Sequence, residues 1–99
     1  MYRVLDAGSD SLTVKVTLNP GHGMNYHSHM HRDEVWTVVS GSGRVIVDGV
    51  ERSVYAGDVI ELPVGYKHTV FASESGLQII EVQMGEDITV SDKKKYDLR

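Results

Sequence analysis

The chain of 99 residues contains no cysteine, and this absence excludes disulfide bonds and thiolate chemistry. Any metal ion would therefore be held by nitrogen and oxygen ligands. Only two prolines against ten glycines, together with a hydrophobic content of 40%, indicate a globular chain and not a disordered one. The length predicts a single domain over residues 1–99 with a modest core.

Basic residues are also scarce. Ten Lys and Arg residues against 14 acidic ones leave a net charge of −4, so we expect no nucleic-acid partner, because such binding needs clustered positive charge. The sequence has no run of eighteen apolar residues and no basic segment followed by an apolar one at its start. We therefore expect neither a membrane span nor a secretory signal, and a soluble cytoplasmic protein is the working expectation.

What the sequence does contain is a hydrophobic period of two, which is typical of β-strands. An apolar, β-branched run at residues 35–39 is closed by Gly41-Ser42-Gly43, and Asp48-Gly49 suits a two-residue type I′ hairpin. In the last segment, Ile80, Val82 and Met84 share one face. We predict strands at residues 12–18, 35–39, 45–47, 50–55, 59–62, 68–72 and 77–84, with no helix and a solvated charged tail at 86–99. Short strands at this spacing predict an all-β sandwich or barrel.

Histidines are concentrated in one alternating run, His27, His29 and His31, which is followed closely by Glu34. Residues two apart on a strand point to the same face, so the run can aim several imidazoles at one place. His68 follows a segment in which Pro63 and Gly65 can redirect the chain. Three neutral imidazoles and one carboxylate suit a divalent transition metal such as zinc, iron, manganese or nickel, with open positions for water or substrate.

The spacing of these residues resembles the two motifs of the cupin superfamily. The first motif matches at Gly21, His27, His29, Glu34 and Gly41, and the second at Gly57, Pro63, Gly65 and His68. The resemblance implies a cupin jelly-roll barrel that is often dimeric, and we expect a homodimer. It also implies metal ligation by His27, His29, Glu34 and His68. His31 is then expected to be exposed or to support a ligand from outside.

Within the cupins, the chain is most similar to type II mannose-6-phosphate isomerases, including the cupin domain fused behind sugar-1-phosphate guanylyltransferases. The similarity lies in residues 14–21, 31–41 and 79–86. The chain differs from that family at His27, Val35 and Thr69, where the family generally carries Gln, His and Arg. The resemblance implies a small-molecule substrate such as a phosphorylated sugar.

Several other side chains are candidates for contacts with that substrate. Arg32, Arg44 and Lys67 are the cations available to bind a phosphate, and Trp36 is either core or a wall of the substrate pocket. His22 is expected to be solvated. The group that transfers a proton is not identified by the sequence, although Glu61 and Lys67 lie close to His68 along the chain.

Three functions remain open on this evidence. The first is aldose–ketose isomerisation of a sugar phosphate, in which the metal polarises the substrate oxygens. The second is an iron-dependent dioxygenase, since the same ligand set supports oxygen activation. The third is a non-catalytic, metal-dependent module that binds a sugar or a small acid.

Overall fold

The structure is a computed structural model, and it describes residues 2–85, 88 and 94–96. No helix occurs in these ranges, in agreement with the period of two. The eight strands are β1 (Tyr2–Ala7), β2 (Ser11–Leu18), β3 (His27–Ser28), β4 (Asp33–Val47), β5 (Val50–Tyr55), β6 (Val59–Leu62), β7 (His68–Met84) and β8 (Lys94–Lys95). A search of the described part of the chain accordingly finds no helix able to cross a bilayer.

The two longest strands, β4 and β7, organise the fold by pairing with each other in antiparallel fashion from Asp33↔Met84 to Val47↔His68. The remaining strands add to one half or the other of this central pair. Beside the half that contains Asp33, β6 pairs with β4, and β2 pairs with β7 and carries β1 on its outer edge. Beside the half that contains His68, β5 pairs with β4, while β3 pairs with β7 and carries β8.

Register shifts between Val38 and Ser40 and between Gly41 and Gly43 separate these two halves. Such bulges bend a strand and increase its twist, so the central pair can fold over on itself. The two halves face each other, because the ring of Trp36 in the first half lies 5.3 Å from the ring of His68 in the second. The result is the jelly-roll barrel that the sequence predicted.

Gly41-Ser42-Gly43 does not end a strand, which corrects the sequence-based boundary. The glycines lie in the middle of β4 because they allow the two bent strands to approach closely. A Cβ atom on Gly41 would lie 2.1 Å from the carbonyl oxygen of Gly76 on β7. The predicted strands 68–72 and 77–84 are likewise one continuous strand, and β1 was not predicted at all.

Two other local predictions concern the hairpin turn after β4 and the charged tail. Asp48 and Gly49 have positive φ angles of 46° and 82°, as a type I′ turn requires, and they join β4 to β5. Of the tail predicted to be solvated, most residues lie outside the described ranges, but Lys94 and Lys95 form β8 and are exposed.

The interior of the barrel is apolar at one end and polar at the other. The apolar cluster includes Trp36, Val38, Val45, Val54, Leu62, Val70 and Ile79. On β7 the buried face in the second segment carries Leu77, Ile79, Glu81 and Gln83, whereas Ile80, Val82 and Met84 lie on the outer face. Glu81 and Gln83 therefore continue this buried face of β7 with polar side chains, and we call these two residues the polar wall.

Substitution of Gly41 by alanine is expected to lower the free energy of unfolding by about 3 kcal/mol, because it combines backbone strain with a clash against main-chain atoms. Its φ of +80° favours glycine, and the clashing atom cannot move as a side-chain end could. Gly49→Ala is the matched control, because its φ is +82° with no atom within 4 Å of the added Cβ. Urea unfolding should show the smaller loss for Gly49→Ala, and equal losses would contradict the role assigned to close strand approach.

Candidate metal centre

Three histidines meet inside the barrel. β3 pairs with the start of β7 at His27↔His68, and His29 follows β3 directly. One potential ligand atom from each of His27, His29 and His68 lies within 4.8 Å of the other two. All three side chains are buried, with exposures of 6%, 4% and 2%. We call these three residues the histidine cluster.

The orientation of two of these rings is set by main-chain carbonyl groups. The Nδ1 atom of His27 lies 2.5 Å from the carbonyl oxygen of Asn25, and the Nδ1 atom of His68 lies 3.0 Å from that of Tyr66. A carbonyl oxygen can only accept, so each Nδ1 carries the proton and donates it. The lone pair of each neutral ring is then on Nε2, which is the usual arrangement when a histidine binds a metal ion.

His68 supplies the clearest sign that the cluster suits a metal ion. Its Nε2 is buried and has no hydrogen-bond partner in the described part of the chain. Burial lowers the pKa of His68, against the opposing charge of Glu34, so the ring is neutral at physiological pH. A buried imidazole with an unused lone pair beside two more imidazoles is a nitrogen donor set that divalent transition metals accept. The histidine cluster can therefore hold such an ion.

Glu34, the fourth predicted ligand, lies next to the histidine cluster but outside the 4.8 Å group. It is 2% exposed, and its Oε2 is 3.1 Å from the Nε2 of His29. Burial alone would raise the pKa of Glu34, but the close contact with His29, the hydrogen bond from Trp36 and the nearby charge of Arg32 lower it to about 2. The carboxylate is therefore ionised, and it can accept hydrogen bonds from a cationic side chain or bind a metal ion.

Both oxygens of Glu34 already have donors. The indole Nε1 of Trp36 donates to Oε1 at 2.8 Å, and the Nε of Arg32 donates to Oε2 at 2.8 Å. Trp36 is 1% exposed and belongs to the apolar cluster, so it is core and also a contact of the site. The segment between β3 and β4 bends at Met30 and His31, and β4 begins at Asp33.

Two interior residues near Glu34 were missed by the sequence analysis. Gln83 pairs with Glu34 across β4 and β7, and Glu81 pairs with Trp36. Burial, followed by the charge of Glu34, raises the pKa of Glu81 to about 8, so this side chain is a protonated acid at neutral pH. Gln83 Nε2 lies 3.3 Å from Glu81 Oε1, and Gln83 Oε1 has no partner among the residues described.

A sequence signal for this polar wall did exist. Leu77 and Ile79 have the same parity as Glu81 and Gln83, so an inward assignment of the first pair would have implied it for the second. The competing row of Ile80, Val82 and Met84 is equally apolar and made the other face look buried. Alternation along one strand does not show which of two apolar rows is buried. That depends on which face of the strand the rest of the barrel covers.

The structure places the remaining candidates at the surface. The guanidinium of Arg44 lies 4.7 Å from the ring centroid of Phe71 and pairs with Glu51 at 2.6 Å. The Nζ of Lys67 lies 4.3 Å from the ring centroid of Tyr96. Both side chains are exposed, and the substrate contacts assigned to them stay predictions. The other exposed candidates are His22, His31 and Glu61.

The jelly roll with histidines inside it defines a cupin, and solved structures support this class. A double-stranded β-helix protein from Klebsiella pneumoniae superposes with a TM-score of 0.86 at 22% identity, covering 98% of this chain and 84% of that one. An RmlC-like cupin from Shewanella frigidimarina superposes with a TM-score of 0.78 at 24% identity, covering 87% and 76%. At these identities the likeness concerns the fold.

The sequence identifies the family more closely. The chain matches the family described as mannose-6-phosphate isomerase C-terminal over residues 1–97, and it belongs to that family. The mannose-1-phosphate guanylyltransferase of Escherichia coli K12 is 30% identical over 96 residues, which cover 96% of this chain and 20% of the relative. The chain thus spans about a fifth of the length of the curated relatives it matches.

Proposed function

We propose that this chain is a metal-dependent cupin that binds a sugar phosphate and interconverts its aldose and ketose forms. Membership of the mannose-6-phosphate isomerase C-terminal family supports the substrate class. The observation that carries the proposal is the histidine cluster, because three buried imidazoles are oriented towards one place and the Nε2 of His68 has no hydrogen-bond partner within the described ranges.

The metal would be held by His27, His29 and His68, with Glu34 as the fourth ligand that the sequence predicted. A bound divalent cation supplies Lewis acidity, which polarises a carbonyl oxygen and an adjacent hydroxyl oxygen. Zinc, iron, manganese and nickel all accept this donor set. The buried imidazoles and the apolar cluster around Trp36 keep bulk water away from the reacting atoms.

Isomerisation also needs a group that carries a proton between neighbouring carbon atoms. Glu61 and Lys67, the candidates suggested by the sequence, are exposed. Glu34 and Glu81 are the two buried acidic residues in the described part of the chain, and Glu34 already accepts from Trp36 and Arg32. We therefore place the proton transfer at the carboxyl group of Glu81, on the wall beside Glu34. Its ionised form, which becomes populated as the pH approaches 8, would accept the proton from one carbon atom and return it to the next.

The phosphate group needs a cationic anchor, and Arg32 is the candidate that lies at the site. Its guanidinium already contacts both Glu34 and His29. Arginine binds phosphate oxygens through two parallel hydrogen bonds, which fixes the orientation of a substrate as well as its charge.

Metal-loaded protein incubated with mannose 6-phosphate should form fructose 6-phosphate, and the same protein treated with chelator should not. The two sugars are separated by chromatography, so the product is measured directly. Glu81→Gln should lose turnover while keeping the bound metal, and the exposed Glu61→Gln is its matched control. Absence of product at high protein concentration, with metal bound, would contradict isomerisation.

A second candidate function is that of a binding module without catalytic activity. The small share of the relatives' length that this chain spans favours it. The chain corresponds to about a fifth of proteins named for a different reaction, guanylyl transfer to mannose 1-phosphate. A binding module should show a saturable rise in melting temperature with mannose 1-phosphate or mannose 6-phosphate and no product. Iron as the dominant metal in protein purified without chelator would instead favour the dioxygenase alternative.

The predicted homodimer is a separate proposal that sedimentation of the purified chain would test.

A further inference from the structure

The guanidinium of Arg32 lies at the corner of the site where Glu34 meets the histidine cluster. Its Nε donates to Glu34 Oε2 at 2.8 Å, and its Nη2 donates to His29 Nε2 at 3.0 Å. The side chain is only 11% exposed, so this cation lies inside the barrel and not on its surface. One positive group therefore contacts a buried carboxylate and a buried imidazole at the same time.

The two atoms that accept from Arg32 are the two that a metal ion would need. His29 Nε2 and Glu34 Oε2 lie 3.1 Å apart, a separation that one ion could bridge with bonds of about 2.0–2.2 Å to each atom. The single lone pair on His29 Nε2 cannot both accept from the guanidinium and bind a metal ion, so the two exclude each other at this atom. Two cations at this corner would in addition repel each other strongly, because the surroundings are buried.

We propose that Arg32 occupies the Glu34 corner of the metal site in the metal-free protein and sets the affinity of the site by competing with the metal ion. This inference rests on the metal-binding part of the proposed function. A metal ion that engages both His29 and Glu34 displaces the guanidinium, and the free energy of that displacement is subtracted from the free energy of metal binding.

The metal-free barrel benefits from this arrangement. Glu34 is 2% exposed and its Oε2 lies 2.8 Å from the Nε of Arg32, and a buried carboxylate without a positive partner is strongly destabilising. Arg32 supplies the partner through a charge-assisted hydrogen bond, and Trp36 satisfies the other oxygen. Arg32 thus substitutes for the metal ion as the counter-charge of Glu34.

A different arrangement of the same residues makes the opposite prediction. If the metal ion were held by the histidine cluster without Glu34, Arg32 would stay in place and would orient His29 and Glu34 from the side. Removal of a supporting residue of that kind weakens metal binding, typically by about 10–100-fold. The sign of the change in metal affinity therefore separates competition from support.

The test measures the affinity of Arg32→Met for Zn²⁺ or Co²⁺ in competition with a chelator of known affinity. Methionine keeps an unbranched stem of similar reach and removes the charge and the hydrogen bonds. We expect the metal to bind more tightly than in the unmodified protein, by about tenfold or more, which corresponds to the loss of one charge-assisted contact. The metal-free variant should in turn melt at a lower temperature, because Glu34 has lost its counter-charge.

Two further variants complete the experiment. Arg3→Met removes an equal charge from the exposed strand β1 and should change neither affinity nor melting temperature. Arg32→Gln keeps a donor for Glu34 and should give an intermediate affinity if Arg32→Met does not fold.

An affinity of the Arg32 variants that is equal to or weaker than that of the unmodified protein would overturn the competition, while leaving the metal site intact. If neither the unmodified protein nor either Arg32 variant bound the metal ion, the metal site of the proposed function would fail together with this inference. Tighter binding by Arg32→Met than by Arg3→Met is the outcome that supports it.

Discussion

Replacement of His68 by glutamine should reduce the affinity for a divalent transition metal by about a hundredfold or more, which corresponds to roughly 2.7 kcal/mol. The loss follows from geometry. His68 presents a buried Nε2 whose lone pair has no partner in the part of the chain described, and its Nδ1 proton is held by the carbonyl of Tyr66. Glutamine has a similar volume but no imidazole nitrogen. The rise in melting temperature on metal addition measures the effect.

His22→Gln is the matched control for this experiment, because His22 is an exposed histidine in the segment before β3. It should keep the full metal-induced rise in melting temperature. A His68→Gln protein that bound metal as tightly as the His22→Gln protein would refute the histidine cluster as the metal site.

Replacement of Glu81 by glutamine should stabilise the metal-free protein at alkaline pH and leave its stability unchanged below about pH 4.5. The pKa of Glu81 is raised from 4.5 to about 8, so the folded chain holds a proton that the unfolded chain has released between these values. The stability that comes from this group is complete below pH 4.5 and is lost as the pH rises through 8. Glutamine keeps the neutral shape and cannot ionise.

The expected gain for Glu81→Gln is at most on the order of 5 kcal/mol above about pH 8, because the pKa rises from 4.5 to about 8 and each pKa unit corresponds to roughly 1.4 kcal/mol. Urea unfolding in the presence of chelator, at a series of pH values, measures it. Glu61→Gln is the control, because Glu61 is exposed on the outer face of β6. A difference between Glu81→Gln and the unmodified protein that did not vary with pH would show that Glu81 ionises normally.

These two experiments examine opposite walls of one interior. His68 lies on the half of the barrel that carries β3 and β5, whereas Glu81 lies on the half that carries β2 and β6. Trp36 adjoins both walls, because it pairs with Glu81 across β4 and β7 and its ring stands at 90° to the His68 ring, with the indole nitrogen bonded to Glu34. The site is therefore assembled from both halves of the bent central pair, and neither half contains it alone.

Local sequence was sufficient for several parts of this description. Alternation of apolar residues and the Asp48-Gly49 dipeptide predicted strands and a hairpin, because both signals act between near neighbours. The predicted all-β cupin barrel is confirmed by its likeness to solved structures. The prediction was possible because the spacing of the motif residues reflects where the chain bends to bring distant residues together. The period of two is also visible in the burial of Glu34, Trp36 and Val38, which alternate along β4.

Other features depended on contacts between residues far apart in the sequence. Gly41 is compatible with the end of a strand or with a crossing point, and only the approach of Gly76 shows which applies. The apolar row at Ile80 and the row at Ile79 are equally good core faces until β2 and β4 cover one of them. The polar wall of Glu81 and Gln83 follows from that choice and is invisible before it.

The sequence by itself thus shows which residue types can bind a metal ion, because the chemistry of imidazole and carboxylate groups does not depend on folding. It does not show which groups hydrogen-bond to these side chains or how deeply they are buried, because both arise from tertiary packing. Arg32 shows the difference most clearly: its charge is evident in the sequence, but its simultaneous contact with Glu34 and His29 exists only in the folded barrel.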